Sequence, residues 1–266
     1  VGERVEFGIL GPLRVRTHGR EIAIPGRKQR TLLAALLLAR GDVLSDERLT
    51  ALLWGQRPPA TVSAQLYTYV SRLRQRLGTA VELVREPAGY RLGIRDAVFD
   101  AAEFHRLSRA GHQALRDNRP DVAARLLHAA LDLWRGPSLG GVTDQLRAAE
   151  TPQLDEARMT ALESRLEAEL ALGEHRQLVA ELTGLVARFP LRERLRAQWM
   201  TALYRCERQA EALAVYQEGR RLLAEELGVD PGPALTATHH AVLSGGLALE
   251  PPVSRAAALP GAAAAP

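Results

Sequence analysis

Residues Thr61–Leu77 read TVSAQLYTYVSRLRQRL. At 100° per residue, Val62, Leu66, Tyr69, Val70, Leu73 and Leu77 fall on one face, as in a helix that packs one side against a core. Ala64, Thr68, Ser71 and Gln75 fall opposite. Gln65 and Arg72 flank that outer face on one side, Tyr67 and Arg74 on the other. The stretch contains no Asp or Glu. A merely solvated face usually carries acid–base pairs. Small residues edged by Arg are instead what a helix entering the DNA major groove needs: small side chains permit close approach, while Arg reads guanine or clamps phosphate. Gln65, Tyr67, Thr68, Ser71, Arg72 and Arg74 are therefore candidate DNA-binding residues. Thr61, the expected N-cap, is counted with them.

On the N-terminal side, Val5–Val15 is rich in Ile, Leu, Val and Phe, and Glu21–Ile24 follows a polar turn at Thr17–Arg20. Together they predict a β-hairpin or small meander. From Arg27 the pattern turns helical, with an apolar run from Leu32 to Leu38 that Gly41-Asp42 stops. Ser45 is the expected N-cap of a helix over Asp46–Trp54, with Asp46 and Glu47 favourably placed in its first turn. The Gly55–Ala60 loop carries Pro58-Pro59. Beyond Leu77, Val81–Glu86 and Gly89–Ile94 predict a second hairpin around Pro87-Ala88-Gly89. Strands, three helices and a closing hairpin make a winged helix-turn-helix over residues 1–95. Arg27, Lys28 and Arg30 crowd the start of its first helix, where the helix dipole disfavours cations. Either a phosphate lies nearby or these side chains snorkel over the sheet; Arg27 and Lys28 join the DNA-binding candidates.

From Phe99 the strand signal vanishes. Helices are predicted over Ala101–Arg116, Pro120–Trp134, Thr151–Leu172, His175–Phe189, Leu191–Cys206, Gln209–Leu227 and Pro233–Ser244. Glu174–Leu178 and Arg208–Ala212 lie 34 residues apart, the tetratricopeptide period, with an insertion around Gly136–Gly141 displacing the earlier pair. Residues 96–246 thus read as stacked helical hairpins with a capping helix, or as an irregular helical bundle. The Ala/Pro-rich stretch 247–266 reads as a linker or disordered tail. The expected fold class is mainly α with a small β component: a winged helix-turn-helix followed by an all-α, TPR-like repeat.

Residues 1–95 carry 16 Arg or Lys against 8 Asp or Glu, whereas residues 96–266 carry 19 against 23. A basic first third suggests that this part meets a polyanion; an Arg-rich codon bias is the plainer account. Lys28 is the only lysine and Cys206 the only cysteine, so an internal disulfide is excluded and a reducing cytoplasm is the natural setting. No signal-peptide pattern opens the chain. Leu32–Ala39, the longest apolar run, is too short to span a bilayer. No nucleotide cradle, nucleophile elbow or H-E-x-x-H appears, so neither an enzyme nor a cofactor is expected. His239-His240 lacks partners at ligand spacing, which argues against a metal site and for a surface pair. Cys206 is expected in the core.

Leu52-Leu53-Trp54-Gly55, Val70-Ser71-Arg72-Leu73-Arg74 and Gly89-Tyr90-Arg91-Leu92 resemble the OmpR-type winged-helix effector domain in order and spacing. The resemblance implies that Arg72 reaches bases beside Thr68 and Ser71. It further implies that Trp54 donates its indole N–H to a phosphate and that Arg85 and Arg91 approach the minor groove from the wing. The turn Glu86-Pro87-Ala88-Gly89 reads as longer and more rigid than the family's usual one. In that family the loop holding Gln56 and Arg57 can touch RNA polymerase. The opening Phe7–Leu13, in place of a receiver domain, and Arg27-Lys28-Gln29-Arg30 resemble the Streptomyces antibiotic regulatory protein family. So do Trp134-Arg135-Gly136, Phe189-Pro190-Leu191-Arg192-Glu193 and Glu226–Pro231. That resemblance covers roughly residues 5–245. It implies a cytoplasmic, nucleoid-associated activator that binds direct repeats of double-stranded promoter DNA near the −35 region as a dimer. It also implies recruitment of RNA polymerase with its sigma factor and control of antibiotic genes. Two other functions are open: a scaffold whose helical repeat binds a protein partner, and a repressor, which needs the same DNA contacts.

Overall fold

The structure, a computed structural model, describes residues 5–78, 81–94 and 97–249. It opens with β1 (Val5–Gly8), β2 (Arg14–Thr17), β3 (Arg20–Glu21), α1 (Arg27–Leu38), β4 (Leu44–Ser45), α2 (Asp46–Trp54), α3 (Val62–Leu77), β5 (Glu82–Glu86) and β6 (Gly89–Gly93). There follow β7 (Val98–Phe99), α4 (Asp100–Arg116), α5 (Pro120–Leu131), α6 (Asp144–Ala171), α7 (His175–Arg188), α8 (Glu193–Arg205), α9 (Gln209–Leu227) and α10 (Pro233–Ser244). The protein is mainly α with a small β component, a winged helix followed by a helical, TPR-like region. It divides into two compact units, Val1–Ser108 with Ala129–Thr160 and Arg109–His128 with Ala161–Pro266. The expected domain boundary at 95/96 and most of the expected tail, from residue 250, lie outside the described residues.

In the first unit the Val5–Val15 stretch is two strands, not one. β1 and β2 pair antiparallel, β3 continues the meander, and β7 joins β1 in parallel. The intervening Ile9 and Leu10 are wholly buried, so their backbone groups need protein partners. Asp100 supplies two acceptors, to Ile9 N (2.9 Å) and Leu10 N (3.1 Å). The segment after α5 supplies the donors: Arg135 N to Leu10 O (2.7 Å) and Leu139 N to Ile9 O (2.8 Å). The Gly136–Gly141 insertion is therefore part of this unit's packing. Leu139 holds a left-handed φ of 56° there, wholly buried. That conformation costs a non-glycine residue about 1 kcal/mol or more, offset here by its burial and its bond to Ile9.

Ser45 caps α2 as expected, accepting from Arg48 N at 3.1 Å. Thr61 does not cap α3 with its side chain; its hydroxyl accepts from Gln65 Nε2 (3.0 Å) instead. The wing differs from expectation more plainly. Glu86 pairs directly with Gly89, leaving Pro87 and Ala88 as a two-residue turn, the tightest form of hairpin and not a long one. The two-residue strand β4 packs on the other side of β6, with Leu44 opposite Tyr90 and Ser45 opposite Gly89. A Cβ on Gly89 would lie 1.8 Å from the Leu44 carbonyl oxygen and 2.8 Å from Ser45 Cα. The glycine of the Gly-Tyr-Arg step is thus required by close backbone approach. Gly89→Ala is expected to part β4 from β6 and cost about 2 kcal/mol. An unchanged thermal midpoint in this variant would show that the strands do not meet as described.

α6 begins seven residues before the expected Thr151 and runs through Pro152. Proline reads as a helix start because it lacks an N–H. A 28-residue helix already under way from Asp144, with Leu146 buried, absorbs the single lost bond.

In the second unit, α7 and α9 start 34 residues apart, and α8 packs against α7, α9 and α10. Leu203, Tyr216, Leu235 and Val242 are among the residues closing the core of α8, α9 and α10. Glu193 accepts from Gly232 N at 2.6 Å, joining the Phe189–Glu193 step to the start of α10. His239 stacks on Tyr216 with ring centroids 3.7 Å apart, so the expected surface pair holds for His240 alone. Cys206 ends α8 and is only half-buried, not a core residue. Among the described residues, no helix is long and apolar enough to cross a membrane, and no cluster of His, Cys, Asp and Glu could hold a metal ion.

Candidate nucleic-acid interface

The face of α3 divides as its sequence periodicity predicts. Leu66, Val70, Leu73 and Leu77 are buried against the winged-helix core. Ala64, Tyr67, Thr68, Ser71, Arg72, Arg74 and Gln75 are exposed, Tyr67 to 65%. Thr68 Oγ1 donates back to Ala64 O (2.8 Å). Arg72 has no hydrogen bond or ion pair among the described residues. Arg74 donates its Nε to Leu83 O (2.8 Å), tying the helix to the wing while its terminal nitrogens remain available. Gln65 lies at the edge, half-buried, and also meets Tyr69 Oη at 3.4 Å.

The arginines of the wing have partners that the sequence did not suggest. Arg85 makes a two-pronged bond to Asp46, at 2.5 and 2.7 Å, in the first turn of α2. It also lies 4.7 Å over the Tyr90 ring. Hydrogen bonding to the Asp46 carboxylate raises the Arg85 guanidinium above the ordinary arginine range. Arg91 donates to Glu86 at 3.2 Å. A cavity of about 350 Å³ brings Tyr67, Arg74 and Arg85 together with Asp46, Thr50 and Ser63. Asp46 was legible only as a helix-dipole acid, because its pairing with a residue 39 positions away leaves no local trace.

The cations at the start of α1 are accounted for within the protein. Arg27 donates to Val142 O and to Asp144, each at 2.7 Å, and Arg30 donates to Gly141 O at 2.9 Å. Lys28 Nζ sits 4.5 Å over the Trp54 ring. Burial there pushes its ammonium below the usual lysine range. These partners are neither a phosphate nor the sheet: Arg27 and Arg30 meet backbone carbonyls and a carboxylate of the 141–144 segment, and Lys28 an indole ring. Trp54 stacks on Tyr69, and its Nε1 is buried without an acceptor. Gln56 and Arg57 are exposed on the loop between α2 and α3.

A three-helix core, a wing, and an outward helix face free of acids define a winged-helix transcription regulator of the OmpR type. Residues 19–92 match the family model "Transcriptional regulatory protein, C terminal", and residues 99–243 match "Bacterial transcriptional activator domain". The chain belongs to the Streptomyces antibiotic regulatory protein family. It is similar to the regulatory protein AfsR of Streptomyces coelicolor, 44% identical over 246 residues, covering 92% of this chain and 25% of that protein. The regulatory protein DnrI of Streptomyces peucetius is 35% identical over 250 residues, covering 90% of this chain and 92% of that protein. The chain therefore spans nearly all of DnrI but about a quarter of AfsR. A solved structure of Mycobacterium tuberculosis EmbR in complex with a low affinity phosphopeptide superposes with a TM-score of 0.87 at 36% identity, covering 92% of this chain and 66% of that one.

Proposed function

We propose that this protein is a promoter-binding transcriptional activator that lays the exposed face of α3 in the major groove. The observation that carries this is the pairing of Arg72, exposed and without a partner among the described residues, with a small-residue face holding no carboxylate. Arg72 reads a base, and Gln65, Tyr67, Thr68 and Ser71 line the approach. Arg74 serves a phosphate, as does Thr61 at the start of the helix. Arg85 turns to the minor groove by exchanging Asp46 for DNA, and Arg91 follows from the wing. Arg27 and Lys28 at the start of α1 and Trp54 at the end of α2 border this surface, and their phosphate contacts come second to those of α3 because Arg27 already meets Asp144 and Lys28 the Trp54 ring. The kinship with the family supports binding to direct repeats near the −35 region as a pair of protomers. It also supports recruitment of RNA polymerase holoenzyme, with Gln56 and Arg57 as the candidate contact, and control of secondary-metabolite genes. The absence of catalytic motifs and the regulatory character of the relatives support a non-enzymatic role.

A mobility-shift titration tests the groove assignment. Arg72→Ala is expected to weaken specific binding by about 10- to 100-fold, or roughly 1–3 kcal/mol, and to relax preference at one base position. Unchanged affinity and unchanged preference would sink it. Transcription with purified polymerase then separates activator from repressor, and alanine at Gln56 and Arg57 is expected to lower transcription while leaving the shift intact.

A further inference from the structure

A second pocket, of about 450 Å³, opens between the first turn of α1 and the last turns of α3. Pro25, Gln29, Arg72, Gln75 and Arg76 line it. No carboxylate does. Gln29 is a polar side chain only 6% exposed. Its Oε1 is fully occluded and has no partner, and its Nε2 has no acceptor among the described residues. The Nε2 half is therefore the half that the pocket reaches. Gln29 Nε2 is thus an unbonded donor at the wall of the pocket, where a ligand acceptor can reach it.

The rest of the lining agrees in sign. Arg76 uses Nη1 on Ala23 O (3.2 Å), and a guanidinium has five N–H groups, so donors remain. Gln75 adds an exposed amide. α1 begins at the uncapped Gly26, with no side chain satisfying its first backbone N–H groups, and that end of a helix favours an anion. The cations of its own first turn face other partners: Arg27 meets Asp144, and Lys28 meets Trp54. The pocket thus offers amide and guanidinium donors and the positive end of a helix, which suits an oxyanion.

We infer that this pocket holds a phosphodiester group of the DNA backbone, gripped by Gln29, Gln75 and Arg76. Arg72 borders the same pocket and the exposed face of α3, so a strand flanking the major groove passes the pocket while Arg72 meets the bases. The site rests on the proposed DNA binding but concerns different residues and a different readout. Phosphate contacts position a protein without reading sequence, and each one steepens the fall of log K with log salt by about 0.9.

The test uses the full chain, a promoter duplex and an unrelated duplex of equal length. Arg76→Gln is expected to weaken both complexes by the same factor, about 5- to 10-fold near 0.15 M salt, and to lower the salt slope by about 1. Arg76→Lys is expected to restore the slope. Gln29→Glu, which places a carboxylate in the pocket, is expected to weaken both complexes further, and Gln29→Met less. Circular dichroism and thermal midpoints matched to wild type show that the variants fold; were Arg76→Gln unfolded, the Gln29 pair decides. Binding and slope unchanged in both Arg76→Gln and Gln29→Glu would overturn the site, as would a loss confined to the promoter duplex. Inorganic phosphate that raises the thermal midpoint while the variants keep the wild-type DNA slope would assign the pocket to a free anion instead. An Arg72→Ala variant with unaltered sequence preference, beside an Arg76→Gln variant with a shallower slope, would fail the groove assignment and keep this one. A wild-type chain that binds neither duplex overturns both.

Discussion

Replacing Asp100 by Ala is expected to destabilise the first compact unit by about 3–5 kcal/mol, the sum of several charge-assisted hydrogen bonds lost at once. The carboxylate is 13% exposed and accepts from three donors: Ile9 N, Leu10 N and Arg135 Nη2, the last at 3.0 Å. Ile9 and Leu10 are wholly buried, so water does not replace the lost acceptor at either amide. Arg135 keeps its bond from Nη1 to Pro12 O (3.1 Å) but loses its counter-charge. Its own partial exposure moderates that part of the cost. Asp100→Asn, which keeps one acceptor oxygen, is expected to fall between alanine and wild type. The decisive measurement is hydrogen exchange at the Ile9 and Leu10 amides beside a denaturant midpoint. Wild-type protection at both amides and an unmoved midpoint in Asp100→Ala would be incompatible with the described bonds. Because α1, α2 and α3 share this unit, DNA affinity is expected to fall with the folded fraction.

Asp100 also marks where sequence periodicity stops informing. The helices with one apolar face were legible to within a residue or two, except that α5 ends three residues before the expected Trp134 and α6 begins seven before Thr151. α3 buries Leu66, Val70, Leu73 and Leu77 as its pattern requires, and α9 and α10 have the expected limits. Ser45 was legible because a cap acts three residues away. What escaped are features created by chain segments far apart in sequence. β4 and β7 are two residues each, too short for any alternation, and exist because β6 and β1 pair with them. Arg27 and Asp144 are 117 residues apart, so the crowded cations of α1 looked like a phosphate signal when a carboxylate and two carbonyl groups already answer most of them. The wing turn looked long because Pro87 and Gly89 made the whole of Glu86–Gly89 read as loop, yet Glu86 and Gly89 belong to the ladder. The exposed face of α3 was legible in full because both its position and its lack of acids are local properties. The Gln29 pocket was not, since it needs α1 and α3 side by side.

The second large effect is expected in the helical unit, where Glu169→Ala should cost about 3–5 kcal/mol by leaving a buried charge without its main partner. Arg165 and Glu169 lie one turn apart on α6, with side chains 8% and 4% exposed. Nη1 of Arg165 donates to both carboxylate oxygens, at 3.0 and 2.8 Å. Nη2 donates to Glu181 of α7, and His128 of α5 meets Glu169 Oε1 at 2.5 Å. Glu169 thus links α5 to α6, and Arg165 links α6 to α7. Removal of the carboxylate leaves Arg165 held, among the described residues, by Glu181 alone, whose side chain is 40% exposed and therefore well screened by water. An ion pair taken out of water gains little over an apolar pair of the same size, because desolvation offsets most of the attraction. The double variant Arg165→Met/Glu169→Leu is therefore expected to lie within about 1 kcal/mol of wild type, far above the single Glu169→Ala. If the double variant is as unstable as the single, the cost belongs to lost helix packing and not to a stranded guanidinium. The comparison also bears on why α6 carries charges inward at all. A near-neutral double variant would mean that this network contributes little net stability, and that its role is to set which faces of α5, α6 and α7 meet.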